Sequence, residues 1–287
     1  MRKTLTALLP ALLLVAASPT PTPTVWSVPP VSTDQFESHP AFDPRTGDLW
    51  FVRSSPQFRG WRMKVSRCTP QGWSVPLDAP IAGDGVEADP WFTLDGRTLW
   101  FISTRSTDGV KGRGLDIWRA IRDRSGRWIR SERLPEPINS AGNEWFPRLD
   151  RDGWLYFGSD RPGGYGKTDI WRARQGRGGR WIVQNAGPHL NSAGDEYEAL
   201  PNPNGRWMLL SADAYYRSER TRGGWGKRIR LDAEINANGS EIGAEFSPSG
   251  RSWLFARSLG DGRSGELLRV GDREAWPAVC EERRRRG

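Results

Sequence analysis

The stretch Ile138–Gly153, INSAGNEWFPRLDRDG, decides the fold, because its frame returns four more times along the chain. LNSAGDEYEALPNPNG begins at Leu190, INANGSEIGAEFSPSG at Ile235 and IAGDGVEADPWFTLDG at Ile81. VSTDQFESHPAFDPRTG fits from Val31 with one inserted residue. Each copy runs from an aliphatic residue through a short loop to a glutamate, and then to a turn glycine. The glutamates are Glu37, Glu87, Glu144, Glu196 and Glu241, about 51 residues apart on average, which is the period of a propeller blade.

Within each repeat the apolar pattern is that of short strands. After the turn comes an aromatic-rich strand: Leu49-Trp50-Phe51, Leu99-Trp100-Phe101, Leu155-Tyr156-Phe157, Trp207-Met208-Leu209 and Trp253-Leu254-Phe255. A third strand follows as Asp116-Ile117-Trp118 and Asp169-Ile170-Trp171, with Ala214-Tyr215-Tyr216 and Glu266-Leu267-Leu268 in its place later on. Outer strands are expected to begin near Trp73, Trp128 and Trp181. Four short strands per repeat predict an all-β propeller of four-stranded blades, with five repeats counted and six blades as the alternative. Val25-Trp26-Ser27-Val28-Pro29 repeats the pattern of Gly72-Trp73-Ser74-Val75-Pro76, an outer strand. The chain is therefore expected to enter on an outer strand that completes the last blade and closes the ring. Ala275-Trp276-Pro277 competes for that place.

The ends set the expected compartment. Residues 1–17 have the charged start, apolar middle and small-residue end of a signal peptide. Residues 18–24 alternate Pro and Thr as a stiff spacer, 25–279 form the propeller, and 280–287 make a basic tail. No cysteine follows the apolar run, so a periplasmic or secreted protein without a lipid anchor is expected, with no transmembrane segment in the mature chain. A monomer is expected. The formal charge of +8 argues for a generally basic surface, because arginine is spread along the whole chain. Export excludes a nucleic-acid role. Arg283–Arg286 read as a solvated tail, with a weak contact to anionic lipid or lipopolysaccharide as the alternative. Cys68 and Cys280 can form one disulfide in an oxidising compartment or stay free.

The run Ser159–Trp171, SDRPGGYGKTDIW, resembles the WD40-like repeat of TolB-type periplasmic propellers. The Glu-x-x-Pro start at Glu144–Pro147 and the Asp152-Gly153 turn match it as well. The resemblance covers residues 25–279 and fades in the last two repeats, which lack Asp-Ile-Trp. It implies a TolB-like propeller with a binding role in the cell envelope. That family usually has six blades, where five frames are counted here.

The five glutamates are the sharpest candidate site. At equivalent positions of inner strands they would gather near the channel, with Asp89, Glu198 and Glu245 two or four residues further on. A ligand reading makes them a mouth for a cation, a basic peptide or a sugar. A structural reading has each one accept hydrogen bonds from loop amides or an arginine and fix a blade joint. Repetition in every blade favours the structural reading. Asp116, Asp169, Trp118 and Trp171 are expected to hold the blades, and asparagines 139, 191 and 236 to cap loops.

Catalytic patterns are missing from the sequence. His39 and His189 are the only histidines, no Gly-x-Ser-x-Gly elbow exists, and neither a zinc motif nor a phosphate loop is present. No catalytic residue, metal or cofactor is therefore assigned. The expected partner is an envelope protein or peptide, held by the unequal loops Ser103–Gly114 and Asp160–Lys167. The alternative is a polysaccharide, bound or cleaved by channel carboxylates in the manner of five-bladed glycoside hydrolases.

Overall fold

A left-handed glycine closes the first turn of every repeat: Gly47, Gly96, Gly153, Gly205 and Gly250 have φ between 62° and 80°. A side chain there would be strained, so the frame glycine is what lets each inner strand double back on the next. The computed structural model describes residues 21–107, 114–260, 265–271 and 276. Residues 1–20, the whole 280–287 tail with Cys280, and part of the Ser103–Gly114 loop lie outside them. Cys68 is buried at the start of a short hairpin strand.

Five antiparallel sheets form five blades of a propeller. The inner strands are Phe36–Phe42, Glu87–Phe92, Glu144–Leu149, Glu198–Pro201 and Ile242–Phe246. Second strands follow at Leu49–Ser54, Thr98–Ser103, Leu155–Ser159, Trp207–Ser211 and Trp253–Ser258. Third strands are Arg62–Ser66, Asp116–Arg122, Asp169–Gln175, Tyr215–Thr221 and Gly265–Val270.

The ring closes as the sequence suggests. Thr24–Val25 pairs antiparallel with Gly265–Val270, Thr24 opposite Arg269, so the start of the described chain supplies the outer strand of the fifth blade. Trp276 packs on Phe42 of the first blade instead, with ring centroids 4.9 Å apart. One expectation is corrected in the first blade: Trp73 sits in a small hairpin, and the outer strand is Leu77–Asp78. Trp225 lies in a similar hairpin of the fourth blade, whose outer strand is Ile229–Arg230. Pro76 helps explain the first case, since it has no N–H to give to the ladder.

Each inner strand except the fourth slips register two residues past its glutamate. The shifts fall between Ser38 and Ala41, Ala88 and Trp91, Trp145 and Arg148, and Ile242 and Glu245. His39, Asp89, Phe146 and Gly243 carry the kink with φ of 51°, 58°, 48° and 63°. In the first three blades the next residue is Pro40, Pro90 or Pro147, which cannot donate to the ladder. The Glu-x-x-Pro signature is thus the sequence of a bulge.

The charge is distributed differently from the even surface expected. Strand direction places first turns and third-to-outer hairpins at one end of the ring, the turn end. The loops that join blades lie at the other, the loop end. Exposed arginines cluster at the turn end, while Asp34, Asp84, Glu136, Asp160, Asp213 and Glu234 are exposed at the loop end.

Candidate functional site

The five repeated glutamates lie at the loop end and are all buried. Each accepts a backbone N–H four residues upstream: Thr33, Gly83, Ser140, Ser192 and Ala237, at 2.6–3.2 Å. Thr33, Ser140 and Ser192 add a hydroxyl at 2.6–2.7 Å. Each glutamate is also paired to an arginine: Arg53, Arg105, Arg161, Arg228 and Arg257 respectively. The same guanidinium reaches the carbonyl of the frame's leading aliphatic residue, Val31, Ile81, Ile138, Leu190 or Ile235. It lies over an aromatic ring as well, as Arg161 does over Phe157 at 5.1 Å and Trp171 at 5.3 Å. The unit staples the incoming loop to the blade. Burial raises the pKa of Glu37 and Glu144 despite these donors.

Blade four shows how firmly the unit is kept. Its second strand ends at Ser211 and continues into Ala212-Asp213 without an arginine, and Arg228 from the approach to the outer strand takes over. The other sequence candidates are placed in the same way. Asp116 receives a bidentate pair from Arg133 at 2.7 Å, and Asp169 accepts from Tyr165 N, Gly166 N and Asn185 Nδ2. Trp118 lies buried under Arg105, as Trp171 lies beneath Arg161. Asn139, Asn191 and Asn236 each bridge both backbone groups of one residue in the third strand, Ile117, Ile170 and Tyr215.

The bulge brings a different set of side chains to the axis. His39 of the first blade stacks on Phe146 of the third at 5.2 Å, a contact that crosses the centre of the ring. Trp91 does the same, packing against the cores of both the second and third and the fourth and fifth blades. Around them runs a circuit that visits every blade. His39 Nε2 lies 3.3 Å from Asp89 Oδ1. Asp89 Oδ2 accepts Phe146 N at 2.8 Å. Arg148 donates through Nε and Nη2 to Glu198 Oε1 at 3.0 and 2.8 Å, and through Nη1 to Asp89 O at 3.2 Å. Glu198 Oε2 accepts Ala244 N at 3.2 Å. Gly243 closes the circuit against His39, where a Cβ would come within 2.8 Å of the imidazole.

This cluster holds more acidic groups than its one arginine can neutralise. Three carboxylates, Asp89, Glu198 and Glu245, face Arg148, which is 1% exposed. Burial pushes Glu245 up to about 8 and Asp89 up to about 7; Arg148 opposes both shifts and Glu198 adds to them. Burial likewise raises Glu198, and with Arg148 it lowers His39 to about 3. Glu245 Oε2 is enclosed without a hydrogen-bond partner. Low dielectric favours the uncharged forms of groups that the one guanidinium does not serve. Among the described residues no group of three acidic, His or Cys side chains could hold a metal ion.

A pH dependence follows, with its sign fixed by these shifts. Asp89 and Glu245 keep their protons in the folded chain up to about 7 and 8, but lose them near 3.8 and 4.5 when unfolded. Their stabilising contribution is full below about pH 4 and is lost as the pH rises towards 8. His39 acts on the acid side, since an unfolded imidazole takes a proton below 6.5 that the folded one refuses. Differential scanning calorimetry between pH 6 and 9 should show a falling Tm. Glu245→Gln should remove up to about 1.4 kcal/mol per pH unit of that slope. An unchanged slope in the variant would contradict the assignment.

Of these axial residues, Asp89, Glu198 and Glu245 stand out in the sequence as acidic companions of the frame glutamates. Arg148 does not, though the signal was there, because other frames carry Ala41, Trp91, Leu200 and Glu245 at its position.

No family model matches the chain, and no curated protein matches it. Solved structures do. A putative TolB from Agrobacterium tumefaciens has a TM-score of 0.50 at 15% identity, over 85% of this chain and 80% of that one. A family 117 glycoside hydrolase, Zg3597 from Zobellia galactanivorans, has 0.53 at 10% identity, over 86% and 88%. The α-L-arabinofuranosidase PaAbf62A from Podospora anserina, solved with cellotriose, has 0.52 at 12% identity, over 88% and 96%. The chain shares the propeller fold with a TolB and with glycoside hydrolases, and at these identities the likeness is one of fold.

Proposed function

We propose that this chain is an exported propeller that works as a binding scaffold in the cell envelope, taking a protein or peptide partner on its loop end. One observation carries the reading. The axial carboxylates Asp89 and Glu198 are 1–2% exposed and already engaged by His39, Arg148 and backbone N–H groups. Groups spent on holding five blades together are poor candidates for substrate chemistry, so recognition falls to the exposed loops around them. Those loops carry Asp34, Asp84, Glu136, Asp160, Asp213 and Glu234, which calls for a basic partner surface. Cross-linking capture from the native envelope tests this, with the wild type expected to retain a discrete basic protein or peptide.

A second reading is kept because the axial carboxylates Asp89 and Glu245 have raised pKa values and two fold neighbours are glycoside hydrolases. It makes the axis a site where a saccharide is bound or cleaved between an acid and a base. Release of reducing ends from plant or bacterial polysaccharides, abolished by Glu245→Gln, would favour it over the scaffold.

A further inference from the structure

We propose that the turn end of the propeller is a second interaction surface, one that docks on the anionic phospholipid headgroups of a bilayer. The first turn of each blade places an exposed arginine at that end: Arg45, Arg97, Arg151, Arg206 and Arg251. The third-to-outer hairpins add Arg177 and Arg180 in the third blade and Arg222 in the fourth, all exposed and without an ion pair among the described residues. Asp95, exposed beside Leu94, accepts from Thr93 Oγ1 and Arg97 N at 2.7 and 3.0 Å, and other acids interspersed with the arginines are spent within the fold. Asp43 is buried against Arg122, with both oxygens engaged at 2.5 and 2.6 Å. Asp150 and Asp152 face Arg220 at 3.7 and 2.7 Å.

Three features choose a bilayer over other anionic partners. The cations are arginines, whose fork of N–H donors matches phosphate oxygens two at a time. They come from the corresponding turn of every blade around the ring rather than from one stretch of it, which presents an array instead of a single track for a polymer. Leu94, at the tip of the second blade's first turn, is 82% exposed in the same layer as Arg97. An apolar tip among cations suits insertion at the headgroup boundary and gains nothing from a soluble polyanion. The opposite, acidic end would be turned away from the membrane and left open to a partner.

The test uses the full chain and sedimentation with vesicles of phosphatidylcholine alone or with 30% phosphatidylglycerol added (a composition of about that fraction suffices). Binding is expected to the anionic vesicles, to fall as salt rises, and to be absent on the neutral ones. Arg177→Gln/Arg180→Gln/Arg222→Gln should weaken it by about fivefold per arginine removed. Leu94→Ser should weaken it further, and Asp213→Asn/Glu234→Gln at the other end should not. Unchanged melting of each variant separates a lost surface from a lost fold. Equal binding to neutral vesicles, or wild-type binding by the triple arginine variant, overturns the proposal. So does heparin binding with the same arginine dependence if Leu94→Ser leaves vesicle binding untouched, since that would assign the surface to a soluble polyanion.

Discussion

Arg148→Met is expected to destabilise the fold by about 3–5 kcal/mol, the cost of leaving one partner of a buried ion pair behind. Arg148 is 1% exposed and supplies two donors to Glu198 and one to Asp89 O, so its loss strands a carboxylate at the centre of the ring. Methionine keeps much of the volume, and the effect therefore reports charge and hydrogen bonding rather than a cavity. Adding Glu198→Gln should recover a substantial part of the loss, because the stranded group is then neutral. Denaturant midpoints for the two single variants and the double variant measure the coupling. A loss below about 1 kcal/mol, or strict additivity, would mean that the axial circuit does not hold the blades.

Glu144→Leu should cost about 2–4 kcal/mol, from the lost charge-assisted bonds and a poorly served guanidinium. Its Oε1 accepts from Ser140 Oγ, Ser159 Oγ and Arg161 Nη2 at 2.6, 2.9 and 3.0 Å, and its Oε2 from Ser140 N at 3.2 Å. Arg161 would keep its carbonyl acceptors at Pro137 and Ile138, which is why the expected loss is smaller than for Arg148. Glu144→Gln preserves the shape and should fall between the leucine variant and wild type. Thermal melts decide the matter, and a leucine variant as stable as wild type would remove the stapling role from the repeated glutamate.

The fold was legible from the frame itself. Turn glycines, aromatic second strands and the copy of an outer strand at Val25 each have a local physical cause, and together they specify blades and closure. The axis was legible only in part. Equivalent positions on the inner strands lead to the expectation that the frame glutamates gather near the channel, whereas the bulge at His39, Asp89, Phe146 and Gly243 turns the residues after them inward. Phe146 gives no sign of a left-handed backbone and His39 and Asp89 only a weak one, and the clearer clue lay in the proline that follows each of them. The arginine partners were hidden for another reason. Arg53, Arg105, Arg161 and Arg257 come from within or just beyond the second strand, but Arg228 reaches the same place from elsewhere in its blade. Position in the repeat could not reveal that replacement. Charge segregation was also invisible along the chain, because arginines spread evenly in sequence fall in turns that the meander gathers at one end.

The most direct test of a scaffold that binds on its loop end with its axis spent on structure is comparative cross-linking capture from the native envelope. Three baits are needed: wild type, Asp160→Asn/Asp213→Asn/Glu234→Gln at the loop end, and Glu245→Gln at the axis. The predicted result is a basic partner captured by wild type and by Glu245→Gln but lost from the loop-end variant. Capture lost with Glu245→Gln and kept by the loop-end variant would contradict it and return function to the axial carboxylates.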